Sequence, residues 1–453
     1  MMLARALSSL VKSGDLTVLD AGGKMHRFGI PGQDPKSVIR LHDKALHHKL
    51  LIYPDLYLGE AYMNGTLTLE EGGLNDFLTL LAMNVSVAKP TLPERIAEKF
   101  IPLLQRIQQH NTIGQAQRNV AYHYDISVKL FELFLDKNMQ YSCAYYTKPD
   151  NNLDQAQLDK MYHIASKLCL KPGMKVLDAG SGWGGLAIYL ARTMGVEVTG
   201  VTLSAEQLKK ATERVKEAGF QDKIHFYQKD FREMTGSFDR IVSVGMLEHI
   251  GVGFYKQFFA KTNELLTAGG IALIHSIGSP EGPRTSNAWM RKYIFPGGYA
   301  PALSEIARVV EKSGLLMTDI EILQLHYAYT LRDWQKKFRD NWKTAAALFD
   351  ERFCRMWEFF LVSAEMEFRY YRTAVFQIQL SKNVNAIPAT RDYMNSLRQE
   401  QMISSIVSPT IPVNESLESI GKLHATHIPI SDKGNRVSLE YSRECNQSVT
   451  TRS

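Results

Sequence analysis

The chain has 453 residues, of which 45% are hydrophobic, and it carries a formal net charge of +6. This is ordinary globular composition, and the length suggests about two to three domains. No internal repeat is visible and no apolar run approaches the ~20 residues that span a bilayer, which excludes repeat architectures and predicts no transmembrane segment. Four scattered cysteines without metal-type pairing indicate a reduced, cytoplasmic protein with no metal site.

The N-terminal region, residues 1–90, is predicted to form a small α+β domain. It opens on an amphipathic helix, "MLARALSSLVK", continues through a hairpin around Gly22-Gly23, and ends in a second amphipathic helix, "GGLNDFLTLL". The first helix either packs on its own domain or contacts a membrane surface. Two prolines followed by a basic and polar stretch mark residues 91–117 as a linker.

Residues 118–398 alternate between strand-like and helix-like segments. The predicted strands are "KVLDAG", "VEVTGVTL", "KIHFYQKD", "FDRIVSVG" and "GIALIHSIG", and the intervening segments are long enough for crossover helices. This alternation predicts an α/β fold with a doubly wound, Rossmann-like parallel sheet. Residues 399–453 are rich in Ser and Thr and poor in aromatic residues, which is typical of a disordered tail.

The first predicted strand of this region runs into a glycine-rich turn, "VLDAGSGWGG". Such a turn permits positive φ angles and lets a ligand approach main-chain N–H groups at a helix N-terminus. A dinucleotide site would place a carboxylate about 20 residues later. The next strand ends instead in Thr202 and Leu203, which weakens the dinucleotide interpretation and favours S-adenosylmethionine.

Several short motifs then occur together in one order and spacing. They are "VLDAGSGWGG", "GVTLSAEQ", "KDFR", "FDRIVSVGMLEHIG" and "LIHSIG", with "HYDISVKLFELFLDKNMQYSCAYY" upstream and "HYAYTLRDW" and "VFQIQL" downstream. In these motifs the chain resembles the cyclopropane-fatty-acyl-phospholipid synthases over residues 1 to about 395. It is also similar to the mycolic acid cyclopropane synthases, which lack such an N-terminal domain. The resemblance implies the S-adenosylmethionine-dependent methyltransferase fold.

Thirteen residues are expected to hold S-adenosylmethionine. Asp178 suits the glycine loop and the methionine end, Thr202 and Gln207 can hydrogen-bond the ribose, and the "KDFR" segment is placed to stack and pair with adenine. The resemblance adds Tyr141 and Ser142, the two residues before Cys143. The full set is Tyr141, Ser142, Asp178, Gly180, Gly182, Trp183, Gly184, Thr202, Leu203, Gln207, Asp230, Phe231 and Arg232.

The implied reaction adds a methylene group to a cis double bond. Methyl transfer to an alkene leaves a carbocation, and loss of a proton closes a three-membered ring. The site therefore needs dry walls and a base that the cation does not consume. The resemblance implies bound bicarbonate as that base, and the residues matching its site are Cys143, Glu248, His275, Ile277 and Tyr327. His275 and Tyr327 can hydrogen-bond an oxyanion, and Glu248 can fix the histidine's tautomer or accept the anion's proton.

The chain departs from the family pattern at two small residues. Ser181 stands in the glycine turn where members often have cysteine, which alters little. Ala364 stands in a late helix where many members have cysteine, so no catalytic thiol is expected there. Cys354, ten residues earlier, is expected to be a packed helix residue.

The expected partner is a phospholipid bilayer that supplies unsaturated acyl chains, with the protein bound peripherally on its inner face and a homodimer as a further expectation. No nucleic-acid partner is expected. Three alternatives stay open: methylation of the same lipids to methyl-branched chains, methylation of nucleic acid, and lipid binding without catalysis. Basic residues of the N-terminal region suit anionic headgroups, namely Arg5, Lys12, Lys44, His47, His48 and Lys49.

Overall fold

Two β-sheets organise the part of the chain that this computed structural model describes. The described residues are 2–87, 114–115, 118–119, 123 and 126–394. The predicted tail and all but residues 114–115 of the predicted linker therefore lie outside the described residues. The domain boundaries stay a prediction.

The N-terminal sheet has four strands in the order β2-β1-β3-β4. The predicted hairpin around Gly22-Gly23 is present, since β1 and β2 pair antiparallel across it. The parallel pairing of β1 with β3 has no local signature in the sequence. The strands are β1 (Asp15–Leu19), β2 (Met25–Gly29), β3 (Lys36–Leu41) and β4 (Leu67–Glu71).

Four helices accompany this sheet. The first helix buries Leu3 and leaves Met2 exposed, so one part of it packs on its own domain and another part faces outward. The last of them buries an apolar face that includes Phe77 and Leu80, as its amphipathic pattern predicted. The helices are α1 (Met2–Leu10), α2 (Leu46–Ile52), α3 (Pro54–Met63) and α4 (Leu74–Ser86).

The larger sheet has seven strands in the order β10-β11-β9-β8-β5-β6-β7. All five predicted strands are confirmed, and β9, β8, β5, β6 and β7 run parallel, which confirms the doubly wound α/β prediction. The antiparallel β11 pairs with both β9 and β10 and was not predicted as a strand. The strands are β5 (Lys175–Ala179), β6 (Glu197–Thr202), β7 (Ile224–Gln228), β8 (Phe238–Val244), β9 (Leu266–Gly278), β10 (Leu316–Leu323) and β11 (Ala374–Ser381).

Side-chain caps start several of the helices around this sheet. Asn152, Ser204 and Asp350 each accept a hydrogen bond from a main-chain N–H of the first turn. The helices are α5 (Val128–Phe134), α6 (Leu153–Lys167), α7 (Gly185–Met194), α8 (Ala205–Ala218), α9 (Tyr255–Leu265), α10 (Ala288–Tyr293), α11 (Leu303–Val310), α12 (His326–Asp340), α13 (Trp342–Leu348) and α14 (Glu351–Tyr370). In the described ranges, no helix has the length and apolar character needed to cross a membrane.

Helix α3 of the N-terminal region packs directly against α10 and α14. At Gly59 the backbone approaches so closely that an added Cβ would lie 2.5 Å from Nε1 of Trp289 and 2.8 Å from the ring of Phe359. One turn further on, the hydroxyl of Tyr62 donates a 2.6 Å hydrogen bond to Glu358. The two sheets accordingly belong to one compact unit.

Candidate active site

The glycine-rich turn between β5 and α7 forms as the sequence predicts. Gly180, Gly182 and Gly184 have φ angles of 87°, 53° and 77°, a region that side chains with a Cβ rarely adopt. The amides of Gly180 and Ser181 both donate to the carbonyl of Val201 on the neighbouring strand, at 3.0 and 2.9 Å. The turn is thereby fixed to β6 at the carboxyl edge of the parallel strands, where ligands bind in this class of sheet.

One cavity lies over this edge. All of the predicted cofactor residues except Gly184 line it, as do Met139, Gln140, Met246 and His249, which sequence analysis did not single out. Gly184 has a packing role instead, because a Cβ there would lie 2.9 Å from the Phe226 ring and 3.1 Å from Cβ of Ala211. The individual roles of the lining residues stay a prediction.

Several cavity residues that were expected to bind the nucleoside already have side-chain partners. Thr202 donates to the side chain of Gln207 at 2.7 Å. Arg232 holds both carboxylate oxygens of Asp230 through two 2.8 Å hydrogen bonds, so this carboxylate is neutralised before any ligand binds. Phe231 is buried beside the Phe258 ring, whose centroid is 5.0 Å away.

Asp178 also lines the cavity, and the positive charge of Lys160, a buried lysine that sequence analysis missed, acts on its carboxyl group. Burial raises the pKa of Asp178 to about 7, and its Oδ2 accepts no hydrogen bond from any described residue. Lys160 is fully buried and donates to Oε1 of Gln140 at 2.6 Å and to the hydroxyl of Ser142 at 2.8 Å. Burial lowers the pKa of Lys160 to about 8. An unpartnered carboxyl oxygen in the cavity fits the cationic amino group of S-adenosylmethionine.

Glu248 lies where the pairing of β8 with β9 stops. The last hydrogen bond between the two strands runs from the amide of Gly245 to the carbonyl of His275, at 2.9 Å. Beyond it, Oε1 of Glu248 accepts the amide of Ile277 at 2.6 Å, in place of a strand carbonyl. Its Oε2 is buried and has no hydrogen-bond partner within the described ranges, and burial raises the pKa of the carboxyl to about 7.

His275 is almost completely buried on β9, and Gln377 of β11 contacts it. The amide nitrogen of Gln377 lies 3.2 Å from Nδ1 of the histidine. Burial, followed by the positive charges of Lys160 and Lys167, holds the pKa of His275 well below its usual range, so the ring is neutral. The side chain that hydrogen-bonds the His275 ring is therefore Gln377. Glu248 was one expected candidate to set the tautomer of His275, but it accepts the Ile277 amide instead.

Cys143 and Tyr327 complete the predicted catalytic set. The Cys143 thiol is buried, donates to the carbonyl of Ala144 at 3.3 Å, and has its pKa raised by burial, so its side chain is no nucleophile. The ring of Tyr327, at the start of α12, lies 4.7 Å from that of Phe368 and 5.8 Å from that of Trp334.

None of the five predicted catalytic residues lines the cofactor cavity. Ser142, which precedes Cys143, and His249, which follows Glu248, do line it. Ile277 was expected at the bicarbonate site, and its main-chain amide donates to Glu248. The catalytic roles stay a prediction.

Aromatic rings surround Tyr141 and Trp183, which both line the cavity. The Tyr141 ring stacks on Trp334 at 5.1 Å and meets Phe131 edge-on at 5.2 Å, and Phe131 lies 4.6 Å from the ring of Trp183. The buried His123 lies 3.3 Å from the hydroxyl of Tyr141. Ring faces of this kind stabilise positive charge, which suits a sulfonium donor.

Comparison with known proteins decides the family. Residues 111–378 match the family described as mycolic acid cyclopropane synthetase. The chain belongs to the mycolic acid cyclopropane synthetase family. It is 36% identical over 362 residues to the cyclopropane-fatty-acyl-phospholipid synthase of Escherichia coli K12, covering 79% of this chain and 91% of that one. It is also 36% identical over 332 residues to the tuberculostearic acid methyltransferase UfaA1 of Mycobacterium tuberculosis, covering 70% and 77%.

Solved structures of this family agree with the fold. The mycolic acid cyclopropane synthase CmaA1, solved with S-adenosylhomocysteine and CTAB, is 32% identical to this chain with a TM-score of 0.56, covering 58% of this chain and 97% of that one. The cyclopropane synthase MmaA2 of Mycobacterium tuberculosis is 30% identical, also with a TM-score of 0.56. The predicted family resemblance is confirmed, and the chain is an S-adenosylmethionine-dependent methyltransferase.

The structure shows what surrounds the residues at which this chain departs from the family pattern. The hydroxyl of Ser181 donates to the Val201 carbonyl at 3.3 Å, which adds a further link between the turn and β6. Ala364 lies in α14, against the apolar core. Cys354 is fully buried in the same helix, as expected for a packed residue.

Proposed function

We propose that this chain transfers a methylene group from S-adenosylmethionine to the cis double bond of an unsaturated phospholipid acyl chain and forms a cyclopropane ring. Two observations support the proposal: His275 is buried and neutral, and the buried Oε2 of Glu248 has no hydrogen-bond partner in the described ranges. A buried polar atom without a partner is the kind of group that a small bound ion can satisfy.

The chemistry balances as follows. S-adenosylmethionine supplies an electrophilic methyl group; its S–CH₃ bond breaks as a bond forms to one alkene carbon, and the other carbon becomes cationic. Loss of one proton from the added methyl group lets its electron pair close the ring on that cation. Bound bicarbonate would supply the base that takes this proton.

The chain's own residues bind, orient and exclude water. A neutral His275 can donate one ring N–H to the base, and the hydroxyl of Tyr327 can donate another. Glu248, with a pKa of about 7, can change its protonation state near neutral pH and so take up the proton released. Aromatic and apolar side chains around Tyr141 and Trp334 keep water from the cation.

Methylation without ring closure is a second candidate, since one relative of equal identity is named as a methyltransferase for tuberculostearic acid. Both reactions share the carbocation and differ in how it is quenched. The product therefore has to be measured.

The N-terminal surface supports a membrane as the source of substrate. Ile52 is 80% exposed and Met2 is 65% exposed. Tyr53, which follows Ile52 in the chain, is also exposed. Lys44 and Lys49 are exposed and precede Ile52 in the chain, and cations near an anionic leaflet contribute about 1 kcal/mol each. Peripheral binding to the inner face of a membrane follows from the proposal. A homodimer stays a prediction.

The test is to incubate the purified chain with S-adenosylmethionine and unsaturated phospholipid vesicles and then measure acyl mass and unsaturation. Gain of one CH₂ with loss of the double bond supports cyclopropanation, whereas gain of CH₂ with the unsaturation kept supports the second candidate. The variants His275→Ala, Glu248→Ala and Tyr327→Phe are expected to lower turnover on the order of 10²-fold while cofactor affinity holds. Added bicarbonate should partly restore the milder variants, and normal rates in carbonate-depleted buffer would exclude this base.

A further inference from the structure

A row of three polar side chains crosses the larger sheet from its interior to its edge. In the strand register, His275 of β9 pairs with Gln377 of β11, and Gln377 pairs with Glu321 of β10. Directly paired residues project from the same face of a sheet, so the three side chains are adjacent. Gln377 and His275 are buried, and Glu321 is half-buried near the edge.

The outer member of the row is already fixed by helix α6. Oε2 of Glu321 accepts hydrogen bonds from His163 and from Lys167, each at 2.5 Å. These hydrogen bonds occupy Oε2 of Glu321, and in the described ranges this carboxylate makes no hydrogen bond to His275. Gln377 is therefore the side chain of the row that hydrogen-bonds the histidine ring.

The side-chain amide of Gln377 could be placed in either of two orientations, and they differ in which polar group is left buried without a hydrogen-bond partner. With its nitrogen toward Nδ1 of His275, at 3.2 Å, the carbonyl oxygen is left buried without a partner in the described ranges. With the amide reversed, the side-chain NH₂ of Gln377 would take the place of that oxygen, and its two N–H donors would be buried there without a partner. Buried carbonyl oxygens without a partner are better tolerated than buried N–H groups, so the first orientation is favoured.

We propose that Gln377 is a positioning residue that holds His275 as the tautomer protonated on Nε2, so that the ring donates a hydrogen bond from Nε2 and does not act as the base. This proposal rests on the proposed function, because the Nε2–H of His275 would be the hydrogen-bond donor to the bicarbonate that the proposed function requires. It also explains an amide at this position. A carboxylate at residue 377 would accept a hydrogen bond from a protonated Nδ1 and thereby favour the opposite tautomer.

The tautomer can be read directly on the full chain labelled with ¹⁵N-histidine. Long-range ¹H–¹⁵N spectra distinguish a protonated ring nitrogen from an unprotonated one, and the His275 signals are those that His275→Gln removes. We expect an unprotonated Nδ1 and a protonated Nε2 in the unmodified protein. A protonated Nδ1 there would overturn the proposal whether or not any variant folds.

Two variants connect the tautomer to the reaction. Gln377→Glu is expected to move the proton to Nδ1 and to lower kcat on the order of 10²-fold, with the Kd for S-adenosylhomocysteine unchanged. Gln377→Met keeps the volume, removes the hydrogen bond, and should give a mixture of tautomers with an intermediate kcat. An unchanged tautomer in Gln377→Glu would overturn the proposal. The spectra need neither bicarbonate nor lipid, so a bicarbonate-independent enzyme would overturn the proposed function and leave the tautomer result standing.

Discussion

The ammonium group of Lys160 lies 2.8 Å from the hydroxyl of Ser142, in the protein interior. The same helix also supplies Gln157, whose amide donates to the Ser142 carbonyl at 2.9 Å. Helix α6 therefore fastens the segment that carries Tyr141 and Ser142 against the cofactor cavity. The affinity of the cavity for its ligand should depend on this helix as well as on the glycine turn.

The first prediction replaces the buried cation. Lys160→Met keeps the volume but leaves Gln140 and Ser142 without their donor and Asp178 without a nearby positive charge. Hydrogen bonds to charged groups contribute about 1.5–3 kcal/mol, so the Kd for S-adenosylhomocysteine should rise about 10- to 100-fold in calorimetric titration. Lys171→Met, at an exposed lysine just beyond the same helix, is the matched control. An unchanged Kd in Lys160→Met would remove Lys160 from the cofactor site.

The second prediction concerns pH. Burial raises the pKa of Asp178 from 3.8 to about 7, so the free protein keeps a proton on this carboxyl below pH 7. A cationic ligand amino group favours the ionised form and must displace that proton. Affinity for S-adenosylhomocysteine should therefore rise by up to tenfold per pH unit from about pH 5 to 7 and level off above it.

Asp178→Asn supplies the control for this profile. The amide has nearly the same shape and no proton to lose, so its affinity should be lower and independent of pH in that window. Calorimetry in buffers of different ionisation enthalpy would also report proton release for the unmodified protein only. A flat profile for the unmodified protein would contradict the raised pKa.

The third prediction tests the glycine turn. Gly180→Val places a branched side chain at a φ of 87°, with its Cβ 3.3 Å from Cβ of Met246, inside the cavity. Binding of S-adenosylhomocysteine should be lost. Gly219→Val creates comparable backbone strain at a φ of 74°, with open space around it and outside the cavity, so it should cost stability but not affinity. Retained binding in a folded Gly180→Val protein would contradict the assignment.

The fourth prediction concerns the packing of α3. Glycine within a helix costs about 1 kcal/mol relative to alanine, so Gly59→Ala would stabilise an isolated helix. Here the added methyl group would overlap Trp289 and Phe359, and overpacking of this kind costs about 1–3 kcal/mol. We expect a lower Tm for Gly59→Ala and no change for Gly253→Ala, where nothing lies within 4 Å of the added Cβ. A raised Tm for Gly59→Ala would contradict the close approach.

The fifth prediction addresses membrane docking. Removing residues 1–90 would strip α3 and α4 from the apolar surface of α14, so point variants are the sharper test. Ile52→Asp and Lys44→Glu should each reduce co-sedimentation with anionic vesicles and activity on them, with cofactor affinity unchanged. Val384→Asp, at a residue that is 67% exposed elsewhere on the surface, is the matched control. Normal vesicle binding by both variants would exclude this docking surface.

Local patterns in the sequence were enough to place five of the seven strands of the larger sheet and the glycine turn. Alternating apolar segments located β5 to β9, and crowded glycines located the positive φ angles that the structure contains. These features depend on neighbours in the chain. They also brought all but one of the predicted cofactor residues to one cavity.

Lys160 and Gln377 were missed for a physical reason. Helix α6, "LDQAQLDKMYHIASK", is polar around most of its circumference, a pattern that usually indicates a solvent-exposed helix. Most of it is buried, because polar partners from distant parts of the chain satisfy its side chains. Likewise, Gln377 meets His275 through the pairing of β11 with β9, and no local pattern specifies which strands pair.

The hydrogen bond from Tyr62 to Glu358 joins residues that are 296 positions apart. A ribosome adding about 5–20 residues per second needs roughly 15 to 60 s to make the chain between them. During that time the face of α3 that later meets α14 has no native partner and is open to wrong ones. That face of α3 therefore stays open to non-native contacts until α14 has been made, and the packing of the N-terminal region is completed only then.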